Sequence, residues 1–249
     1  MTLALVTGST RRLGGHIAAR LADAGYDVAL HASSDPLAED WLARRLDASG
    51  CRWSCFDADL SRDDVAMHLV ARAAEHFGAP PTLLVNNASL FDPDEASVPD
   101  MAALDRHFRV NTGAPLLLAQ AVAEAGGEDR AVVNIVDQRI RNPHRDQPAY
   151  TLSKQALAEA TRLLARTLAP DVRVNAVAPG LTMATEDYSK PQLERLCAMM
   201  PLRRLPSAED IADAVLYLAS ARSVTGQTLF VDAGASMVSF DRDFIHLAR

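Results

Sequence analysis

The sequence predicts one α/β domain built on a doubly wound parallel sheet of about seven strands, with helices on both faces. Three observations carry that expectation. Short, continuously apolar runs recur along the whole chain, alanine- and leucine-rich segments of helical period separate the first six of them, and the first run leads into a glycine-bearing turn that opens a helix. Strands that are apolar throughout, rather than alternating, suit a sheet covered on both faces, and right-handed crossovers then wind it in both directions. A chain of 249 residues suits one such Rossmann-type domain, 1–249, without demanding a second.

The apolar runs fall at 3–7 (LALVT), 27–32 (DVALHA), 52–58 (RWSCFDA), 82–88 (TLLVNNA), 131–137 (AVVNIVD), 172–179 (VRVNAVAP) and 228–233 (TLFVDA). GGHIAARLADAG follows the first and LAEDWLARRLDASG the second, and longer helical stretches are expected around 103–125 and 148–169. One region breaks the alternation. Residues 181–206, LTMATEDYSKPQLERLCAMMPLRRLP, lie between the sixth strand and the next helix. Ligands of such sheets sit beyond the carboxyl ends of the strands, so this segment is expected to cover a substrate. Met183, Tyr188, Leu196 and Met199 are its candidates for lining a pocket.

Composition narrows the function classes. The net charge of −7 gives no chain-wide basic footprint for nucleic acid. No apolar run approaches the roughly 20 residues of a membrane span, and no basic region precedes the first strand as a signal peptide would require. Three cysteines, Cys51, Cys55 and Cys197, form no CxxC pair and read as reduced thiols of a cytoplasmic protein. The seven histidines show no HExxH or comparable spacing, so no metal site is expected. The expected partner is a small molecule.

The turn VTGSTRRLGG joins the first strand to the first helix. Gly8 permits the sharp turn, and Gly14 lets the helix start approach a pyrophosphate, which the free N–H groups of a first helical turn can bind. Arg12 stands where the commonest version of this turn has a glycine. The second strand ends LHASSD, so Ser33 and Ser34 occupy the place where an NAD enzyme usually carries an acid for the ribose hydroxyls. With Arg11 nearby, hydroxyls plus a guanidinium suit a 2′-phosphate and favour NADPH, although Asp35 follows directly.

YTLSK places Tyr150 and Lys154 at i and i+4, on one face of a helix. A lysine ammonium beside a phenol lowers a pKa that is ordinarily near 10, which would fit the tyrosine for proton transfer. The turn, NNA after the fourth strand, Asn111 on a helix and YxxxK after the fifth strand together resemble the short-chain dehydrogenase/reductase family over nearly the whole chain. DADL (57–60), VNAVAPG (174–180) and TGQTLFVDAG (225–234) extend the resemblance. It implies that Tyr150 transfers the proton, that Lys154 binds the nicotinamide ribose and tunes Tyr150, and that Asn111 holds a water relay. Asp59 with Leu60 would meet the adenine, Asn87, Ala88, Pro179 and Gly180 would line the cofactor, and Gly8, Arg11, Arg12, Leu13 and Gly14 would form its phosphate turn. A homotetramer, with the helices around 103–125 and 148–169 at its main interface, is the family's habit.

Three departures matter. Thirteen residues before Tyr150, where most members carry a serine that orients a substrate carbonyl, stands Asp137. A carboxylate polarises carbonyls poorly, but it accepts hydrogen bonds from N–H groups or feeds a proton to Tyr150. In NNASLF, Ser89 replaces the usual glycine and Phe91 follows. Arg12-Leu13-Gly14, Ser89 with Phe91, and Asp137 resemble the pteridine reductases and their bacterial dihydromonapterin reductase relatives. The resemblance implies a flat, nitrogen-rich substrate stacked on Phe91, with Asp137 facing its donors and Arg12 reaching between pyrophosphate and ring. The expected activity is NADPH-dependent reduction of a dihydropterin-like ring. The alternatives are reduction of an ordinary carbonyl (a 3-oxoacyl thioester, ketone or sugar) and a non-catalytic nucleotide-sensing or scaffold protein, against which the intact Asn111, Tyr150 and Lys154 speak.

Overall fold

The computed structural model describes residues 2–92, 100–184 and 188–248. Its centre is a seven-stranded, all-parallel sheet in the order β3-β2-β1-β4-β5-β6-β7. The strands are β1 (Leu3–Val6), β2 (Asp27–Ala32), β3 (Trp53–Asp57), β4 (Leu83–Asn86), β5 (Arg130–Ile135), β6 (Val172–Pro179) and β7 (Thr228–Val231). The strand order reverses between β1 and β4, and this switch point opens a crevice at the carboxyl edge.

The described residues form eight α-helices, most of them packed on the sheet: α1 (Arg12–Asp23), α2 (Asp40–Ser49), α3 (Val65–Phe77), α4 (Met101–Phe108), α5 (Ala114–Glu124), α6 (Pro148–Thr167), α7 (Lys190–Met199) and α8 (Ala208–Ser220). On one face, Ile17 and Leu21 of α1, Leu42 and Leu46 of α2 and Ile211 and Val215 of α8 close over Val6, Leu30 and Val85. On the other, Leu69 of α3, Leu118 and Val122 of α5 and Leu164 of α6 pack on Leu5, Leu84 and Val132. Alternate strand residues thus feed opposite cores, which is why the strands read as unbroken apolar runs. Among the described residues no helix is long and apolar enough to cross a membrane.

The structure moves several expected boundaries. β4 stops at Asn86, β5 at Ile135 and β7 at Val231, so Asn87, Ala88 and Asp137 lie past the ladder, in loops, rather than in strands. The helical stretch expected at 103–125 is three pieces, because a π-turn, Arg109–Gly113, separates α4 from α5. Pro115 cannot donate to the carbonyl four residues back, that of Asn111, so the regular ladder breaks there. Asn111 therefore sits in the π-turn and not in a regular helix.

The 181–206 segment contains α7, whose start is capped by the Ser189 hydroxyl accepting from the Gln192 N–H. Leu196 is fully buried against Met200, Phe240 and Phe244 in a small core that joins α7 to the C-terminal residues. Residues 185–187 of this segment lie outside those described.

Candidate active site

Beyond the carboxyl ends of β1, β2 and β4 opens a cleft of about 780 Å³. Its floor is the turn after β1. Gly8 adopts a left-handed φ of +61°, and a Cβ there would come within 2.9 Å of Ala88 Cα. A Cβ on Gly14 would stand 2.2 Å from the Gly8 carbonyl and 2.6 Å from Asn87 Nδ2. The turn is thus tied to the end of β4. Asn87 Nδ2 donates to the carbonyls of Thr7 (3.0 Å) and Gly8 (2.9 Å), and Thr7 Oγ1 accepts from the N–H groups of Asn87 and Ala88, each at 3.0 Å.

His31 belongs to this floor and carried no signal in the sequence. Its Nδ1 accepts from the Gly8 N–H at 3.0 Å while Nε2 faces the Ala58 carbonyl at 2.9 Å. That arrangement is the neutral ring with its proton on Nε2. Burial pushes its pKa down, against the bond to Ala58, which acts to raise it.

Arg11, Arg12, Leu13, Ser33, Ser34, Asp59 and Leu60 all line this cleft. The Asp59 carboxylate accepts from the N–H (3.0 Å) and hydroxyl (2.7 Å) of Ser61, and those bonds hold its pKa below the ordinary value. Asp35 lines the same cleft, with a φ of +46°. Arg12 opens α1 at a left-handed φ of +50°, a conformation that a glycine adopts without strain. In exchange its side chain borders two cavities, and Nη2 donates to the Met183 carbonyl at 3.4 Å.

The second cavity, of about 410 Å³, lies beside the first, with Arg12, Leu13, Asn87 and Ser89 shared between them. Tyr150, Lys154, Asp137 and Phe91 converge on it, and Pro179 and Gly180 close one side. Lys154 is 1% exposed, and its Nζ donates to the Ile135 carbonyl at 2.8 Å. Burial lowers its pKa to about 8, against the opposing field of Asp137. An ammonium has three N–H donors, so two are left without a partner among the described residues, at the wall of the cavity.

Tyr150 corrects one expectation. The phenol was expected to have a lowered pKa. Burial, with the Asp137 carboxylate next, raises it well above 10, and Arg139 only partly opposes them. The physical reason is placement. Lys154 Nζ lies 5.9 Å from the Tyr150 ring centroid and points at Ile135, while the phenol hydroxyl donates to Asp137 Oδ2 at 2.9 Å. Tyr150 is therefore a protonated donor at neutral pH.

Asp137 begins a short turn after β5, its backbone extended (φ −154°) and its Oδ1 accepting from the Arg139 N–H at 2.9 Å and from Arg139 Nε at 3.3 Å. Arg139 thus occupies Oδ1, and Oδ2 is the oxygen that meets Tyr150. Phe91, 41% exposed, meets the Tyr150 ring edge to face at 4.9 Å and 85°. Asn111, fully buried in the π-turn, accepts from the Leu90 N–H at 2.7 Å and from Ser89 Oγ at 3.2 Å, and its Nδ2 donates to the Leu90 carbonyl at 2.9 Å and to Ser153 Oγ at 3.0 Å. It thereby fixes the Ser89–Phe91 loop to α6.

Met183 and Tyr188 line the cavity, whereas Leu196 belongs to the small core and Met199 is exposed, away from the cavity walls. The residues that sequence reasoning missed here are Arg139 and the C-terminal trio Asp243, Phe244 and Ile245. Asp-Gln-Arg after a strand could have flagged Arg139 as a partner of Asp137. Nothing in the sequence of 242–246, RDFIH, signals that Asp243, Phe244 and Ile245 fold back onto the site.

A family model described as enoyl-(acyl carrier protein) reductase matches residues 8–236. The chain belongs to the short-chain dehydrogenase/reductase family of oxidoreductases. It is similar to the crystal structure of the FolM alternative dihydrofolate reductase 1 from Brucella canis complexed with NADP, with a TM-score of 0.88 and 39% identity, covering 97% of this chain and 96% of that one. Pteridine reductase 1 of Leishmania tarentolae is 34% identical over 94% of this chain and 96% of its own length. L-xylulose reductase of Caenorhabditis elegans is 31% identical over 93% and 94%. Identity at this level spans pterin and sugar substrates, so the choice between them falls to the site.

Proposed function

We propose that this oxidoreductase uses NADPH to reduce a dihydropterin-type ring, such as dihydromonapterin. The observation that carries the reading is the hydrogen bond from the Tyr150 hydroxyl to Asp137 Oδ2, at the place where carbonyl reductases of the family have a serine hydroxyl. A serine can donate to a carbonyl oxygen, whereas a carboxylate only accepts and so matches a ring edge carrying N–H groups. Phe91 offers an aromatic wall to a flat ring, and similarity to the FolM and pteridine reductase proteins supports the same class.

The larger cleft fits NADPH in size and donors. Gly8, Arg12, Leu13 and Gly14 would hold the pyrophosphate, Arg11, Ser33 and Ser34 the 2′-phosphate, Asp59 and Leu60 the adenine side, and Asn87, Ala88, Pro179 and Gly180 the nicotinamide side. The free N–H groups of Lys154 suit the ribose hydroxyls. When bound, the cofactor supplies a hydride. The chain's part is to hold the ring against Phe91, to accept its N–H on Asp137, and to give the proton from Tyr150 Oη. An NADPH-oxidation assay with dihydromonapterin, dihydrobiopterin and a panel of ketones and sugars tests the reading. Activity confined to the ketones or sugars would replace it with the carbonyl reductase that the L-xylulose reductase similarity allows. A cytoplasmic homotetramer, the family's habit, belongs to the same proposal, and exposed Met101 on α4, Leu117 on α5 and Leu152 and Leu163 on α6 offer an apolar face for such an interface.

Two outcomes follow for the cofactor. Arg11→Ala is expected to weaken NADPH binding roughly ten- to a hundredfold, the usual worth of a charge-assisted contact, with little change for NADH. Equal losses for both cofactors in a fluorescence titration would remove Arg11 from the 2′-phosphate. The second outcome concerns pH. Because Lys154 in the free protein titrates near 8, its ammonium is lost above that value, so NADPH affinity is expected to fall as pH rises through about 8. That inflection should vanish in Lys154→Met. The sign for stability is opposite. A lysine whose folded pKa lies below its unfolded value near 10.4 leaves the unfolded chain with more protons between the two, so this group makes the apoprotein more stable as pH rises through that window.

A further inference from the structure

A buried ion network stands behind the cavity. Arg139 is 3% exposed. Besides its two bonds to Asp137 Oδ1, its Nη1 donates to Gln147 Oε1 at 2.7 Å and its Nη2 to Asp243 Oδ2 at 2.6 Å. Asp243, 7% exposed, opens the short C-terminal turn Phe244–His246. Its Oδ1 accepts from the Ile245 N–H at 3.0 Å, and its own N–H donates to both carboxylate oxygens of the buried Asp146, at 3.1 and 2.9 Å. Phe244 and Ile245, carried by that turn, are walls of the cavity.

The geometry points to Arg139 as a positioning residue for the reaction centre, with Asp243 holding Arg139, so that Asp137, Tyr150 and the C-terminal turn act as one body. The inference rests on Asp137 and Tyr150 being the reacting pair of the proposed function. Each carboxylate oxygen accepts about two hydrogen bonds. Arg139 supplies two to Oδ1 and fills it, while Oδ2 takes the Tyr150 hydroxyl and keeps one acceptor position. Arg139 therefore selects which oxygen meets Tyr150 and which remains for a substrate N–H. The guanidinium carbon also lies 5.1 Å from the Tyr150 ring centroid and 5.8 Å from that of Phe91, so the same cation touches the phenol and the aromatic wall.

The charged groups around the Tyr150 phenol come from four places. Asp137 and Arg139 lie on the turn after β5, Lys154 on α6 and Asp243 on the C-terminal turn, while Arg12 of the first turn borders the same cavity. His144 and Asp146, from the loop before α6, stand behind Arg139 and Asp243. Asp137 and Asp243 push the phenol pKa up, and Arg139 pulls it down.

The test combines kinetics with a readout that needs no substrate. The chain has four tyrosines, so the Cζ resonances of isotope-labelled tyrosine are few, and Tyr150→Phe assigns the one that matters. In Arg139→Gln the Tyr150 resonance should shift, and kcat for the best substrate of the assay panel should fall at least about tenfold, with the NADPH KM within about twofold of wild type. Arg139→Lys should recover part of kcat. Asp243→Asn should lose less than Arg139→Gln and add nothing to it in the double variant, because it acts through the same guanidinium. A folded Arg139→Gln with an unmoved Tyr150 resonance and kcat within about twofold overturns the inference, as do additive losses in the double variant. Should Arg139→Gln fail to fold, Asp243→Asn and Arg139→Lys carry the decision, and an unmoved resonance with unchanged kcat in Asp243→Asn overturns the coupling. Absence of turnover with every pterin would remove the pterin reading and leave the resonance comparison standing.

Discussion

Tyr150→Phe is expected to bind NADPH as the wild type does and to lose turnover by about 10²–10⁴, the usual worth of a positioned proton donor. The substitution keeps the ring, so the edge-to-face contact with Phe91 and the packing under Arg139 survive. What disappears is the one hydroxyl that donates to Asp137 Oδ2. Burial and Asp137 hold that hydroxyl protonated far above neutral pH, which suits the proposed reduction, in which a ring nitrogen needs a proton once the hydride has arrived. The same fact separates two mechanisms. A tyrosine with a lowered pKa would lose the proton it must give, and its reduction rate would fall as pH rises through neutrality. A phenol donor gives a rate flat in pH until some other group titrates, and the group closest to doing so is Lys154, near 8. Single-turnover oxidation of bound NADPH across that range distinguishes them. Near-normal turnover in the phenylalanine variant would pass the proton to Asp137 or to water.

The sheet was legible because each strand is buried on both faces and so announces itself as an unbroken apolar run. Its strand ends were not, since Asn87, Ala88 and Asp137 continue the chain direction but have no ladder partner beyond Asn86 and Ile135. The site was legible wherever one short segment carries it: the first turn, Tyr150 with Lys154 four residues on, and Asp137 in register with Tyr150. It was not legible where distant segments meet. Arg139 and Asp243 lie 104 residues apart in sequence, and no local pattern predicts their bond. The direction of the Tyr150 shift failed for a related reason. In the sequence a lysine at i+4 is the nearest charge, but the folded chain turns that lysine to a backbone carbonyl and brings a carboxylate to the hydroxyl instead. Leu196 was misread because an apolar residue in a covering segment can face either the ligand or its own small core, and only packing decides.

Asp137→Ser is expected to depress pterin reduction by at least about a hundredfold and to leave NADPH binding near the wild-type level. Three contacts change at once. The Tyr150 hydroxyl loses its acceptor, the N–H and Nε of Arg139 lose theirs, and a substrate N–H meets a hydroxyl that serves as well for a carbonyl. A buried guanidinium left with fewer partners is costly, so a modest fall in melting temperature should accompany the kinetic loss. Asp137→Asn is the control. It keeps the shape and one acceptor oxygen but cannot accept at both positions, and should fall between serine and wild type. Phe91→Ala isolates the other half of the site. Its loss should raise the pterin KM several-fold with kcat little changed, because a stacking partner is worth about 1 kcal/mol beyond its buried area. A carbonyl reductase would respond differently. Asp137→Ser would restore the hydroxyl common in that group, so reduction of a ketone or sugar would improve, and Phe91→Ala would have little effect on a substrate without a flat ring. Steady-state kinetics of the three variants on one pterin and one ketone therefore decide between the readings. A serine variant that gains ketone activity, in a protein whose wild type ignores every pterin, makes Asp137 a tolerated replacement in an ordinary carbonyl reductase.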